Sequence, residues 1–278
     1  MLRGCGRPSP ARNLPNLISR STRSLCTRSQ AGSVSNANRH AHTRRNSTLI
    51  KICGVTTPED AELAAQAGAD FIGMIMWPKA ERAVSLDTAR QIVQIAKQYH
   101  AQPAGVFVDE DAGTIAEACS QVGLEIAQLH GDGARSAVWS LPQSLQVIYV
   151  INVDAQGILQ TPMPAQLAES AGEHLHRSVD WVLLDGMTGG SGETYDWAQV
   201  RAPEGVASKG WLLAGGLAPH NVAKAIAALS PTGVDVSSGV TDDSRLRKDP
   251  SKVDAFVSAV QSCQQADSDS GRLRAPMV

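Results

Sequence analysis

The chain has 278 residues, 42% of them hydrophobic, with 25 basic and 27 acidic side chains and a formal charge of −2. That length holds one large domain or two small ones, and the composition excludes collagen-like, low-complexity and disulfide-stapled classes. No run of 18 apolar residues occurs, so no helical membrane span is expected.

The small net charge conceals two unlike segments. Residues 1–50 contain nine arginines and eight serines and not one aspartate or glutamate. The remainder carries 16 basic residues (25 less those nine) against all 27 acids, a net of −11. An arginine- and serine-rich, acid-free start is how organelle transit peptides read. The alternative is a basic tail for nucleic acid, but the acidic remainder offers no surface to extend it. Residues 1–47 are therefore expected to be a disordered transit peptide, 48–262 the folded domain, and 263–278 a polar, disordered tail. Of five cysteines, Cys53, Cys119 and Cys263 lie beyond the leader, widely spaced and without a C-x-x-C. That pattern supports neither a disulfide framework nor a zinc site.

From residue 48 short apolar runs alternate with helical patterns. The first strand, "LIKIC" (49–53), is followed by Thr57-Pro58, a cap and first-turn proline, and then by "TPEDAELAAQAGA". "DFIGMIM" (70–76) leads through "WPKAERAVS" to a helix capped by Ser85. "PAGVFV" (103–108), "EIAQLH" (125–130) and "QVIYVI" (146–151) follow, with Gly68 and Gly123 where helices should stop. Residues 152–179 are the least regular connection. "DWVLLD" (180–185), "GWLLAG" (210–215), a helix starting at Pro219, and "TGVDVS" (232–237) complete the series. Strands that alternate with helices imply right-handed parallel crossovers, in an open doubly wound sheet or a closed barrel. Eight strands over about 215 residues predict a single α/β domain, a (β/α)8 TIM barrel of near-minimal size.

In such a barrel chemistry sits where strands end. Cys53 ends strand one, where a thiol is either a packed small hydrophobe or a reactive group. Lys51 shares its face and favours the thiolate. Asp185 closes "WVLLD", where a carboxylate has no packing purpose and burial would raise its pKa. A buried acid bonded to a backbone amide is the alternative. His130 shares a face with Gln128 and either orients polar ligand groups or is a satisfied core histidine. Arg82, beyond strand two, presents a guanidinium that can fork onto a carboxylate. "AGGLAPHN" brings Gly215-Gly216 to a helix start, and "DVSSGV" brings Ser237-Ser238-Gly239 after strand eight. Bare backbone in adjacent loops after strands seven and eight is the usual phosphate site of this fold. "DGMTGGSGETYDW" (185–197) is a glycine-rich loop able to cover a substrate.

The ordered set "KICG", "GADFIGMI", "R-x-V-S", "GVFV", "QLHGD", "LLDG", "GGSGETYDW", "AGGLAPHNV" and "GVDVSSGV" resembles the phosphoribosylanthranilate isomerase family over residues 49 to about 262. It is most similar to the plant, plastid-targeted form. The resemblance implies an intramolecular oxidoreductase, an aldose–ketose isomerase. It catalyses the Amadori rearrangement of N-(5-phosphoribosyl)anthranilate to 1-(2-carboxyphenylamino)-1-deoxyribulose 5-phosphate, in tryptophan biosynthesis. It implies Cys53 as general base, Asp185 as general acid, and Arg82 on the anthranilate carboxylate, opposite the phosphate loops. It further implies substrate contacts by His130, Gly190, Gly215, Gly216, Asp235, Ser237, Ser238 and Gly239. No metal or organic cofactor, nucleic acid or membrane partner is implied. The chain is expected to act as a monomer in the plastid stroma (chloroplast) on a small phosphosugar–anthranilate substrate. Glu193 departs from the family's frequent lysine in the strand-six loop, which puts any substrate contact by that residue in doubt. The histidine-pathway sugar isomerase is expected to carry aspartate in place of Cys53. Indoleglycerol-phosphate synthase needs a lysine–glutamate set not evident here. A non-catalytic phosphate-binding barrel would be expected to lack Cys53 or Asp185.

Overall fold

The computed structural model describes residues 47–164, 178–186, 195–201, 203 and 205–272. Eight strands run in chain order around a closed, all-parallel barrel: β1 (Leu49–Ile52), β2 (Phe71–Ile75), β3 (Gln102–Phe107), β4 (Ile126–Leu129), β5 (Gln146–Val153), β6 (Trp181–Gly186), β7 (Trp211–Leu213) and β8 (Gly233–Val236). β1 closes the ring by pairing Lys51 with Asp235 of β8 on one side and with Phe71 of β2 on the other. Six helices are described: α1 (Pro58–Ala67), α2 (Leu86–Gln98), α3 (Ala112–Val122), α4 (Asp132–Ser136), α5 (Val222–Leu229) and α6 (Pro250–Arg272).

Local chemistry sets most of their bounds. Thr57, Ser85 and Asp111 accept the Asp60, Thr88 and Thr114 backbone N–H groups, satisfying donors that a helix start leaves free. Gly68 ends α1 with φ 109°, a left-handed conformation that side chains resist. Strand bounds differ from the sequence reading by one or two residues, and two helix boundaries differ by more. α5 begins at Val222 rather than Pro219, because Asn221 folds its side chain back onto the Ala218 N–H and Gly216 carbonyl and holds a turn there. α6 continues to Arg272, past residue 262. The buried stripe of Val253, Phe256, Val257 and Val260 anchors that helix, and the polar run beyond contains no helix-breaking proline before Arg272.

Period-two alternation builds the barrel interior in storeys. Phe71, Ile126, Ile148, Trp181, Leu183 and Leu212 form an apolar floor, with Phe71 edge-on to Trp181 at 5.6 Å. Two residues further along the strands the inward positions turn polar: Lys51, Gln128, Asn152, Asp185 and Asp235. The alternate, outward residues pack beneath the helices in a larger core that includes Ile50, Ile72, Val147, Leu184 and Val234. An apolar floor below and the helix-lined wall outside leave the C-terminal mouth as the site of chemistry.

Candidate active site

Lys51 is fully buried, and its Nζ lies 3.0 Å from Asp235 Oδ1. Burial opposes the ammonium, but Asp235 and the neighbouring Cys53 thiol outweigh it and hold its pKa above the ordinary value. The two side chains converge on Gly73 of β2. A Cβ there would lie 2.7 Å from Cys53 Sγ and 3.1 Å from Lys51 Nζ. Gly73 is thus small because the thiol and the ammonium occupy the space a side chain would need, a role its place in "FIGMI" did not disclose.

Asp185 caps the inward face Trp181–Leu183–Asp185 of β6 and is 8% exposed. Burial first, and Asp235 second, raise its carboxyl to about 7, against the opposing Gly186 N–H and Lys51. Its Oδ1 accepts the Gly186 N–H at 2.8 Å, and its Oδ2 lies 3.5 Å from His130 Nε2. His130 is lowered to about 4 by burial, then by Lys51 and Arg135. Between about pH 4 and pH 7 the proton of this pair therefore resides on the carboxyl, and the imidazole is neutral. Gln128 Nε2 stands 3.3 Å from His130 Nδ1. With the amide in that orientation Nδ1 accepts, which leaves the ring proton on Nε2, facing Asp185.

Arg82 lies against the end of β8 rather than across the mouth from it. Its Nη1 donates to Ser237 Oγ at 2.6 Å, and Ser237 in turn donates to the Cys53 carbonyl at 3.0 Å. The loop after β2 folds across the end of β1, where Gly54, at φ 67°, yields the room: a Cβ there would collide with Arg82 Nη1. Lys248, from the loop after β8, lies in a polar stretch, "TDDSRLRKD", that carries no sequence signal for it. Its buried Nζ donates to the Cys53 carbonyl at 2.7 Å and to the Ser237 carbonyl at 3.0 Å. Burial, then Arg82, lowers it to about 8.

Gly215 and Gly216 both take left-handed φ, 86° and 65°. Gly215 packs against the acid as well as turning the chain: a Cβ there would lie 2.6 Å from Tyr195 Cε1 and 3.3 Å from Asp185 Oδ1. Ser238–Val240 forms a single 3-10 turn, and Gly239 lies against the Leu217 carbonyl, so the two loops touch. Gly216, Ser238 and Gly239 face a cavity of about 590 Å³ that Lys252 and His220 also line. Gly190 and Glu193 lie outside the described residues.

Residues 50–259 match the family described as N-(5'phosphoribosyl)anthranilate (PRA) isomerase. The chain belongs to that family. It is 44% identical over 214 residues to N-(5'-phosphoribosyl)anthranilate isomerase 1, chloroplastic, of Arabidopsis thaliana, covering 77% of this chain and 75% of the relative. Monomers derived from the dimeric Thermotoga maritima isomerase superpose with TM-score 0.59 at 28% identity, covering 77% and 99%. A phosphoribosyl anthranilate isomerase solved in complex with reduced 1-(o-carboxyphenylamino)-1-deoxyribulose 5-phosphate has TM-score 0.58 at 28% identity, with the same coverage. PRA isomerase activity, an aldose–ketose isomerisation in tryptophan biosynthesis, is the function of this chain. As a PRA isomerase it has Cys53, Asp185, His130, Asp235 and the two glycine loops gathered at one barrel mouth.

Proposed function

We propose that Asp185 is the general acid and Cys53 the general base of the PRA isomerase reaction. The observation that carries this reading is the state of Asp185: a buried carboxyl, at the inward end of β6, that keeps its proton to about 7. Such an acid is matched to donation near neutral pH. It protonates the furanose ring oxygen, and the C1′–O bond breaks as the aryl amine lone pair forms an iminium. The iminium acidifies the C2′ hydrogen, which the Cys53 thiolate removes. The electron pair runs to nitrogen and gives an enolamine. The 2′ hydroxyl then loses its proton as C1′ gains one, and the ketone results. Lys51 stands beside the thiol, both side chains meeting over Gly73. The substrate's own imine is the electron sink, so these residues supply only protons, orientation and charge.

Gly215, Gly216, Ser237, Ser238 and Gly239 are proposed to hold the phosphate, with Arg82 taking the anthranilate carboxylate and His130 and Asp235 ordering the polar groups between. The bare backbone of the two touching loops supports the phosphate reading. Arg82 reaches the mouth beside that site, so its fork meets a carboxylate only by sharing or releasing Ser237. Gly190 is proposed as a further contact from the glycine-rich loop.

Residues 1–47 are proposed as a plastid transit peptide, supported by their acid-free arginine content and by the chloroplastic Arabidopsis relatives. The mature chain is proposed to act as a monomer, since one barrel supplies the whole constellation; sedimentation equilibrium of residues 48–278 tests this, and a dimer would refute it. The roles themselves are tested by Cys53→Ala and Cys53→Ser. Each should lower kcat by about 100-fold or more with ligand affinity retained, as loss of a general base does. Near-normal turnover of the alanine variant would remove the thiol from the mechanism.

A further inference from the structure

Arg135 plays no part in the reaction above, yet its side chain is only 9% exposed. It sits in α4, directly after the His130 strand end. Nη1 reaches the His130 carbonyl at 3.1 Å, the Val150 carbonyl at 3.4 Å and Asn152 Oδ1 at 3.3 Å. Nη2 donates to Asp132 Oδ1 at 2.6 Å, a carboxylate that is itself almost fully exposed on the rim. One guanidinium thus joins the ends of β4 and β5. The contact continues to β6. Asn152 stands in register with Asp185, and its Nδ2 donates to the Gly186 carbonyl at 3.4 Å. Gly186 N–H donates to Asp185 Oδ1 at 2.8 Å.

Packing alone does not account for this arrangement. A buried charge whose one ionic partner among the described residues lies in solvent is expensive, and an apolar side chain of similar volume commonly fills such a space at lower cost. What a guanidinium adds is a rigid planar fork able to hold several acceptors at once, which an ammonium does not reproduce.

We propose that Arg135 is the positioning residue for the acid half of the site, its fork fixing His130 directly and Asp185 through Asn152 and Gly186. The proposal rests on the assignment of Asp185 as the acid. The charge of Arg135 acts in the same direction as its geometry. His130 is faced by Lys51 from β1, Asp185 from β6 and Arg135 from α4, with Asp235 of β8 paired to Lys51. Two cations and burial keep the imidazole neutral. A protonated imidazole would take up the proton as an ion pair with Asp185, and the carboxyl would have none to donate.

The experiment uses Arg135→Met, Arg135→Lys and Asn152→Ala in the full chain, with steady-state kinetics and an NMR titration of His130 in the unliganded protein. Arg135→Met should lower kcat by about 10- to 100-fold with KM changed less than about threefold, the scale of a small misplacement of a reacting group. The His130 midpoint should rise only modestly above about 4, because burial and Lys51, the larger causes of its depression, remain. Arg135→Lys should keep the midpoint low, because the charge remains, while kcat stays reduced, because the fork is gone. Asn152→Ala should lower kcat and leave the midpoint in place. Wild-type kcat in Arg135→Met, full rescue by lysine, or a loss no larger than the lost folded fraction would overturn the proposal. Where Arg135→Met does not fold, wild-type kcat in Asn152→Ala overturns it instead. An active Asp185→Asn would condemn the acid assignment; an inactive Asp185→Asn beside a fully active Arg135→Met would condemn only the role of Arg135.

Discussion

Replacing Asp185 by asparagine separates what the carboxyl does for catalysis from what it costs the fold. The wild-type group, which ionises at 3.8 in water, holds its proton to about 7 because burial disfavours the anion. Each tenfold difference in acidity is worth about 1.4 kcal/mol, so full ionisation costs the fold roughly 4 kcal/mol. The sign follows from proton counts. Between about pH 4 and pH 7 the native state binds more protons at this site than the unfolded chain, so stability falls as pH rises and levels off above 7. Integrated for this one group, the penalty is roughly 2 kcal/mol at pH 5 and roughly 4 kcal/mol at pH 8. Asparagine keeps the shape and the acceptor for the Gly186 N–H but carries no such penalty. Asp185→Asn should therefore gain roughly 2 kcal/mol more over wild type at pH 8 than at pH 5, a difference of about 4–8 °C in Tm for a domain of this size. His130 contributes the opposite slope, its stability present above 6.5 and lost as pH falls toward about 4, but both proteins carry it and it cancels to first order. Turnover should fall about 100- to 10,000-fold at every pH, since an amide has no proton to donate. Thermal melts across pH 5–8 and the wild-type kcat/KM profile, expected to decline above pH 7, are the assays. An equal Tm gain at pH 5 and pH 8, or a kcat/KM flat through pH 7, would refute the reasoning.

Gly73→Ala should displace the Cys53 thiol, whose Sγ would stand 2.7 Å from the new Cβ. Kinetics and circular dichroism should show kcat reduced at least about tenfold in a folded protein, and unchanged turnover would mean the thiol needs no fixed position. Arg82→Met should weaken the carboxylated product analogue by about 2–4 kcal/mol, as for truncating one side of a desolvated charge pair. Because Arg82 also orders Ser237, inorganic phosphate should lose about 0.5–1.5 kcal/mol; calorimetry of both ligands decides, and equal losses would remove the carboxylate role. Residues 1–47 fused to a fluorescent reporter should carry it to plastids; a cytosolic signal would exclude a transit function, and a mitochondrial one would reassign it.

Much of the fold is written locally. Thr57, Ser85, Gly68 and Gly123 act on donors, acceptors and backbone angles within a few residues of themselves, so helix ends were readable in the chain. The period-two pattern of "WVLLD" places Trp181, Leu183 and Asp185 on one face, and the eightfold repetition of such runs implies closure. Cys53 and Asp185 stood out as candidates because one directly follows β1 and the other is next to last in β6, and in this architecture strand ends meet. Tertiary structure alone decided the rest. Lys51 and Asp235 lie 184 positions apart, and Lys248 and Cys53 lie 195 apart. No local pattern marks either pair, because each contact arises only when β1 closes against β8. Arg82 reads as a rim arginine; the path of its loop over Gly54 put it on Ser237. Arg135 carries no signal in the sequence; only in the assembled barrel do the ends of β4 and β5 surround it. The protonation of Asp185 belongs to the same class. A carboxyl's identity is local, but its acidity is set by the water that the assembled barrel excludes and by the charges it brings near.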